Sequence, residues 1–479
     1  MDSLFPNNLP HKPYSIEETG LTILFLKNLA LKTLYVYNSL LGREVAGVLK
    51  LPYLNVVAKI LGELRREYRI EIGGSAGSGE AYYRYVITDS GRRHARELME
   101  DCQYVGAAPV TLEAYTEVAK VQSLVGQTVG AQQLREALSH LVLSDAFLDG
   151  LGPALNSGGS LFLYGKVGNG KTSIGLAIPQ ALCGAVGIPY AISVGDQIIR
   201  VFDEVQHHRI TGENGERGMQ DSDDTLQYDR RWAVCQRTLI VGGGEMTLKD
   251  LDLFFDPTMK YYQAPHQMKA NGGVFLIDDF GRQMPDRFGI QPLNDFERQP
   301  RDGYERQLLD DLQSANPDEA GRESFVPWYG ALNRWIVPLA QRKDSLTLKS
   351  GQKISVPFEV LVVFATNLDP LELMDEAYWR RMRNKIHVPN PTWDQFREIF
   401  TREADRRKIP YSEEAFQYFI TEYYLKPKRQ PRGVHPRDVL DTLEDIARFR
   451  GIPPSFSKEN VDHACQVYFV VKAPDVSSD

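Results

Sequence analysis

The chain has 479 residues, 42% apolar and 25% charged, with a formal net charge of −8. Those proportions exclude a largely disordered protein, a collagen-like repeat and a disulfide scaffold. The mild acidity also argues against a surface coated in basic charge for wrapping nucleic acid, while leaving room for a local basic face.

Residues 1–105 carry three helical patterns, Leu21 to Tyr37, Arg43 to Lys50, and one from Pro52 to about Tyr68. Two β-like runs follow, Arg69 to Ile72 and Tyr82 to Thr88, joined by GGSAGSGEA. Asp89 or Ser90 then caps a last helix. That order resembles a winged helix-turn-helix. The Gly-rich stretch Gly73 to Gly79 leads into no helix with a Lys-Thr pair, so a wing tip is expected there and not a phosphate loop. No segment is long and apolar enough to span a bilayer, since the best candidate is interrupted by Lys27 and Lys32. The N-terminus lacks the basic and apolar regions of a secretory signal. Cys102, Cys183, Cys235 and Cys465 lie far apart, which excludes a local zinc knuckle and predicts reduced, mostly buried thiols in a cytoplasmic setting, with no membrane partner.

A linker over 106–130 leads to an α/β region, 131–390, with a helical region over 391–471 and a short tail, 472–479. The runs LFLYG (161–165), YAISV (190–194), VFLID (274–278) and VLVVFAT (360–366) are apolar almost throughout, as strands covered on both faces are. They predict a parallel sheet.

GKVGNGKT, Gly165 to Thr172, sits between the first of these runs and a helical pattern, the context that a P-loop requires. Glycines let successive backbone N–H groups turn inward around phosphate oxygens, and the helix N-terminus adds positive partial charge. Gly165, Lys166, Val167, Gly168, Asn169, Gly170, Lys171, Thr172 and Ser173 are therefore candidate ATP-binding residues. Lys171 would reach the β- and γ-phosphates, and the Thr172 hydroxyl would ligate Mg²⁺. The run ending in Asp278 and Asp279 puts two carboxylates at the C-terminal edge of the sheet, where nucleotides bind in such folds. Asp278 is expected in the Mg²⁺ shell, and Asp279 as the group that orients or deprotonates water.

With VVFATN ending at Asn367, DEAYWRRMRNKIHVPNP (375–391) and GVHPRD (433–438), the region from about 125 to 470 resembles the AAA+ ATPases. The resemblance implies a P-loop NTPase core with a parallel sheet, a C-terminal helical lid and assembly into a homo-oligomeric, hexameric ring. It gives Asn367 the role of positioning water and sensing the γ-phosphate. It implies arginine fingers acting on a neighbouring subunit at Arg380 and Arg381, with Arg383 as a third candidate whose other reading is a solvated helix face. It places the lid arginine at Arg437. Many members carry Asp-Glu where this chain has Asp278-Asp279; the shorter side chain engages water from a different distance, which bears on rate. KANGGVFLIDD and the stretch 332–367, with β-like SLTL and KISVPF around a KSGQ turn, resemble the AAA+ types with a hairpin before the sensor strand, namely MoxR-like ATPases, enhancer-binding activators and MCM-type helicases.

Two inserts, about 205–232 and 284–328, lengthen the core. His207 and His208 in the first have no other metal-ligand type spaced near them and are expected to be solvated. Tyr261 and Tyr262 admit two readings, a pore loop gripping polypeptide or bases, or core packing. Residues 1–101 hold 13 Lys and Arg against 12 Asp and Glu, a net of +1, where a DNA-binding module is usually clearly basic. The favoured expectation is thus an ATP-hydrolysing ring that remodels proteins, with the N-terminal module as adaptor for a protein partner. The alternative is a DNA-acting ATPase whose winged helix contacts nucleic acid.

Overall fold

The computed structural model describes residues 9–210, 227–281, 328–368, 380 and 382–469. The second insert, up to residue 327, and the tail lie outside them, as does Arg381.

The N-terminal elements are helix α1 (Ile23–Tyr37), strand β1 (Ser39–Leu41), helices α2 (Gly42–Leu49) and α3 (Ala58–Arg66), strands β2 (Ile70–Ser75) and β3 (Tyr83–Ile87), and helix α4 (Asp89–Asp101). Thr22 caps α1 by accepting from the Phe25 amide at 3.2 Å, and Thr88 caps α4 by accepting from Gly91 at 3.0 Å. The strands form an antiparallel sheet in the order β1-β3-β2. β1 escaped the sequence reading because three residues show no periodicity. These elements close around Leu26, Leu29, Leu34, Val56, Ile60 and Leu64, and the same core takes in Ala191, Ile198 and Tyr261 from far along the chain.

The stretch expected as a linker carries strand β4 (Val110–Thr111) and helix α5 (Leu112–Val121), followed by α6 (Ala131–Ala137) and α7 (Asp145–Asn156). Next come strand β5 (Ser160–Tyr164), helix α8 (Lys171–Ala181), and strands β6 (Ala185–Pro189), β7 (Ala191–Val194), β8 (Gln197–Arg200), β9 (Trp232–Gln236), β10 (Leu239–Gly242), β11 (Phe254–Asp256) and β12 (Tyr261–Gln263). Helix α9 (His266–Lys269), strand β13 (Val274–Ile277), helix α10 (Trp328–Gln341), and strands β14 (Lys343–Thr347), β15 (Lys353–Pro357), β16 (Leu361–Thr366) and β17 (Asn384–His387) complete the α/β region.

The main sheet is wholly parallel, in the order β10-β13-β16-β5-β17. Taking its strands in chain order, the arrangement is 2-3-4-1-5, so this is an α/β P-loop NTPase core with the AAA+ strand order. Alternation splits each apolar run between two layers. Leu161, Leu163, Leu276 and Val363 pack on Ile174 and Ile178 of α8. Phe162, Phe275 and Phe364 pack on Trp335 of α10 and on Phe280. Phe364 is fully buried, and truncating it to Ala removes about 3–5 kcal/mol.

The run 190–194 is not in this sheet, contrary to the expectation; β10, which the sequence reading did not pick out, is its edge strand beside β13. β7 belongs to a second, mixed sheet in the order β11-β12-β8-β7-β4. One side of that sheet meets the N-terminal core, and the other packs on Leu346, Leu348, Ile354 and Val356 of the β14–β15 hairpin. The hairpin expected from its alternation is present, with Ser345 opposite Ser355 and Gly351 at φ 83° in its turn. It is fixed at its root by Arg334 and Gln267, which both donate to Asp344 and to the Leu251 carbonyl.

Arg231, 4% exposed, forms a bidentate pair with Asp229 and donates to the carbonyls of Thr19 and Pro109 at 2.8 and 3.1 Å. A buried ion pair is tolerated only when its remaining donors are satisfied, and here they join the N-terminal elements to the approach to β9.

The helical region comprises α11 (Trp393–Arg406), α12 (Glu413–Ile420), α13 (His435–Arg450) and α14 (Lys458–Tyr468) around Phe396, Phe400, Phe416, Phe419 and Tyr424. Among the described residues no single helix is long and apolar enough to cross a membrane. Cys235 and Cys465 are buried, Cys102 is partly so and Cys183 is exposed; all four are free thiols.

Candidate functional site

The P-loop leaves β5 and enters α8. Gly165, Gly168 and Gly170 have φ of 146°, 82° and 84°, backbone that L side chains rarely adopt. A Cβ at Gly165 would lie 2.3 Å from the Val388 carbonyl oxygen, and one at Gly168 would lie 2.5 Å from Val434. Gly175 lets α8 sit close on β13, since a Cβ there would meet Leu276 at 2.7 Å. The Lys171 side chain, 6% exposed, turns back into the loop, where its Nζ donates to the carbonyls of Gly165 and Lys166 at 2.9 Å each and to Asn367 Oδ1. Lys166 and Val167 are exposed; Thr172 and Ser173 are half-buried in the first turn of α8.

Asp278 directly follows β13, and Asn367 directly follows β16, so both stand at the C-terminal ends of parallel strands beside the loop. The Thr172 hydroxyl donates to both Asp278 oxygens, at 2.9 and 3.1 Å. Asn367 Nδ2 donates to Asp279 Oδ1 at 3.0 Å. Asp279 has φ 48°, a left-handed conformation that Asp tolerates better than most residues. Its neighbour Phe280 anchors the turn by donating to the Ala365 carbonyl at 2.8 Å and packing on Phe162 and Phe364.

A hydroxyl and a carboxylate side by side make a hard-oxygen pair suited to Mg²⁺, and the positive-φ glycines let the loop turn its N–H groups inward, with open space at Gly170 where a Cβ would meet nothing within 4 Å, so these residues fit Mg²⁺ and a nucleotide phosphate. Among the described residues no cluster of three His, Cys, Asp or Glu could hold another metal.

The helical region touches the P-loop directly. Val434 donates from its amide to the Gly168 carbonyl at 2.7 Å, and Gly433 to Asn169 Oδ1 at 3.3 Å. Asn169 Nδ2 donates to Asn390 Oδ1 at 2.8 Å. Sequence reasoning placed Asn169 only as a loop residue and missed Asn390 and the Gly433–Val434 turn, because their contacts span more than 200 residues and follow no local pattern. Arg437, in the first turn of α13, is exposed and donates to Asp438 at 3.1 Å through both Nε and a terminal nitrogen. Arg380 is exposed, and so is Arg383, whose charge bears on Arg342. Met382 between them is fully buried against the main sheet.

One open reading is decided and one expectation is overturned. Tyr261 and Tyr262 are 6% and 3% exposed in β12, on opposite faces. Tyr261 packs edge-on against Tyr104, while the Tyr262 hydroxyl accepts from the Lys349 amide at 2.9 Å. They are core residues and not a projecting grip. His207 is buried, contrary to the solvated reading. Its Nδ1 accepts from the Asp203 amide and its Nε2 donates to the Lys269 carbonyl, both at 2.9 Å; burial holds it neutral by pushing its pKa down. His208 is exposed as expected.

Residues 392–467 match the model of a domain of unknown function, DUF8689. No curated protein matches. Among solved structures, the chain is similar to NtrX from Brucella abortus at 10% identity and TM-score 0.37, over 81% of this chain and 62% of that one. The chain thus spans less than two thirds of that structure. It is also similar to two RuvB variants of Thermotoga maritima. One is at 10% identity and TM-score 0.30, over 71% of this chain and 70% of that one. The other is at 12% and 0.31, over 72% of each. With scores this low, the fold assignment stands on strand order and the P-loop.

Proposed function

We propose that the protein is an Mg²⁺-dependent AAA+ ATPase that hydrolyses ATP to ADP and phosphate, assembles as a ring, and uses that energy to remodel proteins or protein complexes. The supporting observation is the chain of contacts Lys171–Asn367–Asp279 beside Thr172–Asp278, which joins the first turn of α8 to the C-terminal ends of two adjacent parallel strands. Lys171 exchanges its carbonyl partners for phosphate oxygens and neutralises their charge. Thr172 and Asp278 would hold Mg²⁺, which would screen the phosphate charge. Asp279 orients water and accepts its proton, and Asn367, bonded to both Asp279 and Lys171, keeps that carboxylate in register with the phosphate. Arg380 and Arg381 are read as reaching a neighbouring subunit's nucleotide, and Arg437 as turning from Asp438 to the phosphates when the lid closes.

The N-terminal elements are read as a winged helix that serves as a protein adaptor in the cytoplasm. Leu54 and Tyr68 are exposed to 73% and 81% on it, and two of its basic residues are paired, Arg66 of the third helix with Glu63 and Lys27 of the first with Glu67. Exposed apolar side chains suit a protein partner better than a phosphate backbone.

The test is phosphate release from ATP with Mg²⁺ by purified wild-type and Asp279→Asn protein, followed by capture of partners on the Asp279→Asn form. Absence of ATP-dependent phosphate release from folded wild-type protein, alone or at concentrations that permit assembly, would overturn the reading.

A further inference from the structure

The helical region contains a cavity of about 540 Å³ lined by Arg429, Gln430, Arg432, His435, Tyr468 and Phe469. All six residues belong to that region, so the cavity is separate from the nucleotide cradle, although it shares the 432–434 turn with it. The segment Lys426 to Arg437 carries five Lys and Arg (Lys426, Lys428, Arg429, Arg432 and Arg437) and no acid, in a chain whose net charge is −8.

The two lining arginines are in different states. Arg429 is fixed: one nitrogen donates to the Tyr423 carbonyl at 2.7 Å, and its guanidinium lies 3.6 Å from the centre of the Phe469 ring. Arg432 is half-buried; its carbonyl accepts from the His435 amide at 3.2 Å, while its guanidinium has no hydrogen bond or ion pair with any described residue. Among the described residues no carboxylate lines the cavity. Asp438, the acid whose charge reaches His435, already accepts from Arg437 at 3.1 Å and from the Tyr468 hydroxyl at 2.9 Å. His435 itself shares a 3.0 Å hydrogen bond with Tyr424. Burial, with Arg432 and Arg429 adding to it and Asp438 partly opposing them, pushes His435 down to about 4, so the imidazole is neutral near pH 7.

We propose that this cavity is an anion site that takes a phosphate group, held by the Arg432 and Arg429 guanidinium groups with the Gln430 amide at its rim. Two guanidinium groups without a lining carboxylate match the charge of a phosphate, and their planar donor forks match its oxygens. The shared chemistry is the phosphate; its source is either a small free phosphate or the backbone of a nucleic acid.

The experiment uses full-length Lys171→Ala protein, in which the P-loop cation is removed, titrated calorimetrically with inorganic phosphate, with pyrophosphate and with a single-stranded oligonucleotide. Because the P-loop is disabled, the result is independent of the ATPase reading. At least one phosphate-bearing probe should bind, and Arg432→Gln in the same background should weaken it roughly tenfold or more, as loss of a charge-assisted contact does. Arg432→Lys should recover part of the loss. In wild-type protein the His435 imidazole, followed by NMR, should titrate at higher pH with the probe present, because the anion offsets the arginine field; this readout keeps the test open if Lys171→Ala does not fold. Binding of inorganic phosphate or pyrophosphate assigns a small ligand, whereas binding of the oligonucleotide alone, falling steeply with salt, assigns a nucleic-acid backbone. Either upholds the proposal. Absence of binding by all three probes, binding unchanged by Arg432→Gln, or an unmoved His435 titration overturns it, as does an acidic unphosphorylated peptide binding where the phosphate probes do not.

Discussion

Asn169 and Asn390 share a 2.8 Å hydrogen bond, Nδ2 of the first donating to Oδ1 of the second, and this bond ties the tip of the P-loop to the segment entering the helical region. The other end of the Asn169 amide accepts from Gly433. One side chain thus joins the phosphate loop to the segment before the helical region and to the turn that precedes α13. Asn169→Ala removes both contacts, each worth about 1 kcal/mol, so ATP should bind roughly fivefold more weakly or worse, with a smaller effect on turnover at saturation. Unchanged nucleotide affinity by calorimetry would remove the strut from the account of binding.

Lys171→Ala should abolish measurable ATP binding or hydrolysis, a loss of roughly a hundredfold or more, as expected when a preorganised cation facing phosphate is removed. The fold should survive, since Lys171 bonds to carbonyls of its own loop and to Asn367 and contributes little to the apolar core. Circular dichroism and phosphate release on the same sample separate the two.

Asp279→Asn should retain ATP binding and lose turnover by roughly 10²–10⁴-fold, the usual contribution of a general base. The amide can still accept from Asn367, so the local geometry is kept while the proton acceptor is lost. Turnover within a few-fold of wild type would move the base elsewhere.

His435 makes stability fall with acid. Its folded pKa, about 4, lies below its unfolded value, so the folded form binds fewer protons than the unfolded chain. The contribution is complete above pH 6.5 and declines as pH falls from about 6.5 toward 4, to a loss on the order of 3 kcal/mol. Burial is the main cause, with Arg432 and Arg429 adding to it and Asp438 opposing them. His207 and His266 are shifted in the same direction and add to the slope. Urea midpoints at pH 7 and pH 5 should differ accordingly, and His435→Gln should flatten the difference.

Removal of residues 1–108 should leave hydrolysis in place only if the exposed sheet is tolerated. The deletion retains β4 but uncovers Ala191, Ile198 and Tyr261 and removes the Thr19 carbonyl from Arg231. We expect a lower melting temperature together with residual ATPase activity and lost partner capture. Complete loss of ATPase activity in a folded truncation would make the N-terminal elements part of the motor.

The P-loop, the acid pair, the Asn-terminated strand and the β14–β15 hairpin were legible in the sequence because each is a local arrangement, with residue types at short, fixed spacing imposed by strand alternation or by backbone turning inward. The order of the N-terminal helices and strands was legible for the same reason. The placement of residues 190–194 was not: an apolar run reads alike whether it enters the main sheet or the second one, and only pairing with Val110–Thr111 and Gln197–Arg200 decides it. His207 looked solvated because its partners, the Asp203 amide and the Lys269 carbonyl, are backbone groups that carry no sequence signature. Tyr261 and Tyr262 were ambiguous until strand alternation sent them into two different cores. The contact of Asn169 with Asn390, and the gathering of Arg429, Arg432 and His435 into one cavity, depend on how the helical region docks and folds back, which is set by packing between residues distant in sequence.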